Sequence, residues 1–466
     1  MNAPMNVSPD PHLIHPFVVP PEIMISQFRM SAPLAPRAVD VLEDIVSLKL
    51  TELFPDIQPA IIGPDDDIPA AQAAARKATE AALADVDFSM IGPNDTVNIV
   101  CSDHGFTILG GWAYAEMLKT VKDVVEARTG NTKIRLVYAC AFVAWESREI
   151  LPHFGLDEYF KGRTLDAAPT DHGVAIETEI GTLYGVKKAF NARWIIHCHY
   201  DSPREVHFHR FNGRSLKAFG MSYARMETRS LFHNNFGPRN ANIVPRAIYE
   251  SDFVQKKFAC GLVMTTAPTG ITGVLAGRDL IAVDRRMTVS SLRNYAKLYR
   301  LLQSLESCIP ICDSYRWGLY QMAGGMSVCS LYEANNDQLD MDNFFPEENN
   351  PAVKAFVINN TWVGAENMMA DLPMIVAGEA VAQSFIPNMT RWENIIVEKD
   401  LPSAVAKAKQ IANTDHIMIF DGSFGSINVS SSLAEHMLKL APAAAKEVDE
   451  VRMPKYLKQR GLPLDS

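Results

Sequence analysis

Thr96-Val97-Asn98-Ile99-Val100-Cys101 is a short apolar, β-branched run, and it stops at Ser102-Asp103-His104-Gly105. Residues 112–127 follow with a helical composition, and residues 133–143 form a second apolar run. This strand–loop–helix–strand order is that of a parallel sheet with helices on its faces. Such sheets bind ligands at the carboxyl ends of their strands, so the loop 102–105 stands where function is expected. Working outward, residues 193–199 read as another buried strand ending in polar residues. Residues 261–266 and 271–276 read as strands flanking a Pro-Thr-Gly turn, and residues 70–84 as a surface helix.

Residues 289–305 have the pattern of a helix that bridges two domains. Beyond it, strand-like runs at 352–359, 372–377 and 416–420 alternate with helices at 401–412 and 431–440, a second α/β rhythm. The expectation is two α/β domains with mainly parallel sheets and an interdomain active-site cleft. The boundary falls near residue 292, giving domains of 1–292 and 293–466, the last residues being free to pack back on the first domain. A chain of 466 residues exceeds what one core holds, which fits two.

Composition narrows the function classes. The net charge of −10 and the lack of a basic tract with interleaved aromatics argue against nucleic-acid binding. The Pro-rich N-terminus has no basic flank before an apolar run, so it reads as an extended arm rather than a secretory signal, and its surface leaves room for a homo-oligomer. No stretch approaches the roughly 18 apolar residues of a membrane span. Seven scattered cysteines fit reduced thiols and a cytoplasmic setting, and Cys308 and Cys312 have no second pair that would make a zinc site.

Six of the twelve histidines lie between His172 and His233, and four of them form the pairs His197/His199 and His207/His209. On a strand, residues two apart share a face, so each pair can present two imidazoles together or serve as hydrogen-bonded packing residues. Glu205-Val206-His207 is followed by Asn212-Gly213-Arg214 and, ten residues after His207, by Lys217. His233-Asn234 comes sixteen residues after Lys217. The Asn-Gly-Arg segment reads as a polar loop able to approach a phosphate, and Lys217 taken alone as a solvated lysine.

In this register the sequence resembles the nickel-pincer lactate racemases and their 2-hydroxyacid relatives. The resemblance runs from about residue 96 to 325. It includes Asp103-His104 after the first strand, residues 178–185, residues 273–277 and Leu319-Tyr320-Gln321. It implies a racemase or epimerase, an isomerase working by hydride transfer to a nickel pyridinium-3,5-bisthiocarboxylate mononucleotide. By that resemblance the cofactor is covalently attached to Lys217 and contacts Asp103, His104, Asn212, Gly213 and Arg214. His207 is the acid/base, His233 the nickel ligand, and Asp103, Tyr320 and Gln321 complete the catalytic set. The partners implied are a small-molecule substrate and the enzymes that make the cofactor.

Three departures bear on the substrate. Gly105 and Phe106 stand where the family has Thr and Arg, residues 139–143 carry no histidine where the family has its second base, and Gly324 replaces a lysine. Two positive groups are gone and Phe106 is expected to add apolar area, so the substrate is expected to be a hydroxyacid or hydroxy-carbonyl compound other than lactate. Glu146, His153, His104 and His209 are the available substitutes for the base. Two other readings compete. One is a zinc-type metallohydrolase using His197, His199, His207 and His209, with Asp201 and Glu205 as the carboxylates. The other is a non-catalytic relative that stores or carries the cofactor.

Overall fold

The computed structural model describes residues 35–63, 65–106, 110–140, 147–201, 206, 210–235, 242–313, 337, 339–343, 350–360, 372–385, 395–421 and 423–464. Of Asp103, His104, Glu149, Ser384 and Phe385 it describes the backbone only. Two mainly parallel α/β sheets organise these residues. In chain order the strands are β1 (Ile45–Lys49), β2 (Val97–Ser102), β3 (Ile134–Ala139), β4 (Thr164–Ala167), β5 (Gly173–Thr178), β6 (Gly181–Val186), β7 (Trp194–Tyr200), β8 (Phe258–Ala267), β9 (Gly270–Gly277), β10 (Ile309–Asp313), β11 (Phe356–Asn360), β12 (Met374–Ala377), β13 (Ile395–Glu398), β14 (Ile417–Phe420) and β15 (Ser426–Ser430).

The first sheet has the order β4-β3-β2-β7-β8-β9, parallel except for β9, which returns antiparallel against β8. Every residue of β2, β7 and β8 is buried, as expected of central strands covered on both faces. Ile99, Cys101, Ile196 and Cys198 belong to one apolar core and Val100, Ile195 and Val263 to another. These sets alternate along the strands, so they lie on opposite faces of the sheet. The hairpin β5–β6 stands apart as a two-stranded ribbon.

The second sheet runs β1-β15-β14-β10-β11-β12-β13. Strands β14, β10, β11, β12 and β13 are parallel, and β15 is antiparallel to both β14 and β1. Residues 45–49, which sequence grouping put with the first domain, therefore pair in the sheet formed mostly after residue 308. The helix Leu280–Gln303 lies against β8 and β9 and also against the helix Ser431–Glu447. It begins earlier than the sequence pattern indicated, because Asp279 caps it by accepting from the backbone N–H groups of Ile281 and Ala282. No helix among the described residues is long and apolar enough to cross a membrane.

Strand order fixes where a ligand can lie. In the first sheet the chain moves outward from β2 through β3 to β4, then restarts on the other side of β2 with β7 and β8. The switch point is between β2 and β7, and the crevice beyond their carboxyl ends is the default ligand position of such a sheet.

Candidate active site

Strand β2 ends at Ser102 and passes into a 3-10 turn, Asp103–Phe106. Asp103 and His104 thus sit at the carboxyl end of β2, on one side of the switch point. Gly105 makes this turn feasible, since a Cβ there would lie 2.1 Å from Cε1 of Tyr114. The ring occupies that space, and its hydroxyl donates to the Cys198 carbonyl of β7 at 2.7 Å. Tyr114 thereby ties the helix Gly111–Thr129 to β7 beneath the loop. Phe106 does not face the crevice. It is fully buried, edge-on to Tyr114 at 5.2 Å and packed on Tyr138 and Phe154. The expectation that it adds apolar area to a pocket is corrected: its area belongs to the core below.

On the other side of the switch point, β7 leads to Asp201. His207, His209 and Glu205 lie outside the described residues, as do Glu146, Tyr320, Gln321 and Gly324. Past Val206 the chain is described continuously from Arg210, and Arg210 and Phe211 are both in the left-handed region with φ of 48° and 57°. Gly213 follows at φ 71°, where a Cβ would lie 1.8 Å from the Asn242 side-chain oxygen. Consecutive left-handed non-glycine residues cost free energy and persist only where their surroundings enforce them. Here the Arg210 guanidinium donates to the Asp340 carbonyl, and Arg460 donates to the Arg210 carbonyl at 2.6 Å. Thr288 donates to the Phe211 carbonyl at 2.8 Å.

The next turn of chain is anchored by two buried acids. Gly213 N–H and Ser215 N–H donate to the Asp284 carboxylate at 3.0 and 2.9 Å, and the Ser215 hydroxyl does so at 2.7 Å. Arg214 pairs with Asp201 at 2.7 Å, donates to Ser291 Oγ at 2.6 Å and lies over the Phe211 ring. Removal from water pushes the Asp201 carboxyl up to about 6, with the Asp284 charge adding to the shift and Arg214 opposing it. The donors that the sequence reading of Asn212-Gly213-Arg214 offered to a phosphate are bonded within the chain here. The Gly213 N–H and the Arg214 guanidinium are spent on carboxylates of this chain, and Arg214 is buried.

Lys217 opens the short helix Lys217–Gly220 and is half-buried. His233 lies in the last turn of the helix Met226–Asn234 and is exposed. Its Nδ1 is 2.7 Å from the Arg229 carbonyl. A carbonyl only accepts, so the proton sits on Nδ1 and Nε2 is the basic nitrogen. Partial burial holds the His233 imidazole below its ordinary pKa, and the charges of Arg229 and Lys217 add to the effect. The two residues sixteen apart in sequence are thus electrostatic neighbours in space. A neutral imidazole with Nδ1–H on a carbonyl is in the form and orientation that ligates a metal through Nε2. Lys217 and His233 therefore fit an amine-tethered cofactor whose metal takes one imidazole.

His197 and His199 do share a face of β7, with rings stacked at 5.8 Å. Both nitrogens of His197 are engaged by the protein. Nε2 donates to the Ser215 carbonyl at 2.9 Å, and Nδ1 accepts from the Tyr223 hydroxyl at 2.8 Å. Burial drives its pKa down to about 4, so it is neutral. This is a packing histidine, and a four-histidine zinc site would have to break one of these two bonds. Among the described residues no group of three or more His, Cys, Asp or Glu is placed to hold a metal ion.

Asp284, Tyr114, Tyr223 and Arg460 went unnoticed in the sequence, and Asp201 was noticed only as a carboxylate for a zinc site. For Asp284 a signal exists, because it falls on the apolar stripe of its helix with Leu280, Val283 and Met287. A carboxylate on a buried stripe needs donors, and here they come from the loop before Lys217.

No protein-family model matches the sequence, and no curated protein matches it. Among solved structures, the chain is similar to the lactate racemase apoprotein from Thermoanaerobacterium thermosaccharolyticum. The TM-score is 0.50 at 12% identity, covering 81% of this chain and 99% of that chain. At that identity the likeness is one of fold alone.

Proposed function

We propose that this protein is an isomerase, a racemase or epimerase of a 2-hydroxyacid or related hydroxy-carbonyl compound, carrying a nickel-pincer nucleotide on Lys217. The observation that supports the reading is that the carbonyl-anchored imidazole of His233 feels the charge of Lys217, so the two residues are neighbours in the fold. The sixteen-residue spacing and the fold likeness support it. When bound, such a cofactor would supply a hydride acceptor for the substrate's carbinol carbon, from which the hydride could return to either face of the planar keto compound.

The chain's own residues do the rest. Lys217 supplies the amine that holds the cofactor, and His233 supplies one neutral nitrogen ligand. His207, ten residues before Lys217, takes the proton from the substrate hydroxyl and gives it back, a task suited to an imidazole with an ordinary pKa of about 6.5. Asp103 and His104, at the end of β2, and Tyr320 and Gln321 are the further residues that the family resemblance assigns to catalysis. The substrate is held without the family's arginine and lysine, which favours a compound other than lactate.

The test is peptide mass spectrometry of protein co-produced with the cofactor-making enzymes. The peptide bearing Lys217 should carry the adduct, and Lys217→Ala should lack it. Active, nickel-loaded protein with an unmodified Lys217 peptide would overturn the reading.

A further inference from the structure

The turn that leads into Lys217 is held by a buried carboxylate. Asp284 projects from the second turn of the helix Leu280–Gln303 and is 6% exposed. Its Oδ2 accepts from Gly213 N–H at 3.0 Å, and its Oδ1 accepts from Ser215 N–H at 2.9 Å and from Ser215 Oγ at 2.7 Å. Gly213 stands immediately before the 3-10 turn Arg214–Leu216, which runs directly into the helix Lys217–Gly220. The acid therefore satisfies the amide donors at the start of the turn that ends on Lys217. The same Ser215 offers its carbonyl to His197 Nε2, so this residue is clamped from both sides.

We infer that Asp284 is the positioning residue for Lys217, acting through Gly213 and Ser215 to fix where the lysine lies. The importance of that lysine rests on the proposed function, but its placement by Asp284 does not. An asparagine at 284 retains one acceptor oxygen and presents an amide nitrogen to the other donor, so one anchor is lost and one N–H faces another. The loop then samples other conformations, and the Lys217 amine becomes more accessible.

The experiment follows acylation of the full chain by a water-soluble N-hydroxysuccinimide acetate, with Lys217 read by peptide mass against the exposed Lys399 as internal reference. Backbone hydrogen exchange is followed at Gly213 and Ser215. In Asp284→Asn, Lys217 should be acylated at least threefold faster relative to Lys399, and the two amides should lose protection. Ser215→Ala, which removes only the hydroxyl contact, should change both in the same direction by less. Asp279→Ala removes the N-cap of the same helix and destabilises it without touching the loop, so it should leave the Lys217 rate at the wild-type value. The inference is overturned if Asp284→Asn and Ser215→Ala leave Lys217 as slow as wild type, or if Asp279→Ala accelerates it equally. An absent adduct in wild-type protein together with the predicted acylation change would sink the cofactor reading alone. An adduct present with no acylation change would sink this one alone.

Discussion

His197 and His233 belong to the same histidine-rich stretch and meet opposite fates. His197 has both nitrogens bonded inside the core, whereas His233 is exposed with one nitrogen anchored. His197→Phe would fill the space but strand the Ser215 carbonyl, while the Tyr223 hydroxyl can turn to the Val100 carbonyl 3.1 Å away, so it should lower stability by about 1–3 kcal/mol in chemical denaturation. A loss within about 0.5 kcal/mol would mean those bonds contribute nothing. His233→Ala should leave stability within about 1 kcal/mol of wild type, since an exposed side chain is lost. In protein co-produced with the cofactor enzymes it should abolish nickel retention, measured by metal analysis, while His199→Ala should not. The H-x-H pattern was legible and so was its shared strand face. What the pattern could not carry was the identity of the partners, because Tyr223 and Ser215 reach His197 only through folding.

Among elements, the buried strands β2, β7 and β8 and the helices at 68–83, 111–129 and 401–412 were legible, since each announces itself by apolar runs or by helical composition. The edge strands β1 and β13, and β15 beside β1, were not. They are short and partly exposed, and their pairing is decided by distant chain. The loop 201–217 shows the same limit in sharper form. Its histidine, lysine and glycine spacing is visible in sequence, yet the Asp201–Arg214 pair that stiffens it joins the end of β7 to a turn thirteen residues on. Arg214→Met keeps the apolar reach but leaves Asp201 buried without its counter-charge. The expected cost is about 3–5 kcal/mol, read by denaturant unfolding. A near-neutral result would show that Ser291 and water suffice for Asp201. Phe106→Arg, which restores the family residue on paper, would instead bury a guanidinium among Tyr114, Tyr138 and Phe154, and it should unfold the first domain rather than restore a substrate contact.

For the whole molecule, the second sheet has its own switch point, between β10 and β14, and the chain's own residues 35–38 lie there. Asp313, at the end of β10, accepts from the Ala38 N–H at 2.6 Å and from the side-chain amides of Asn359 and Asn360 at 2.7 and 3.2 Å. Asn359 and Asn360 in turn donate to the carbonyls of Pro36 and Ala35. Arg37 reaches Asp421 at 3.5 Å. Burial pushes the Asp313 carboxyl up to about 7, with the Asp421 charge adding to it and the three donors opposing it. The folded pKa is above the value of about 3.9 expected of an unfolded aspartate, so the native state favours the protonated acid. Its stabilising contribution is then complete below about pH 4 and is lost as pH rises through 7. Asp313→Asn cannot ionise and should lack this dependence. Between pH 4 and pH 8 the stability of the variant relative to wild type should therefore rise, by up to about 4 kcal/mol if the whole shift is realised. Denaturant unfolding of both proteins at the two pH values measures it. A difference that does not change with pH would mean that Ala38, Asn359 and Asn360 stabilise the carboxylate enough to cancel its burial, and that residues 35–38 are held by an ionised Asp313 throughout.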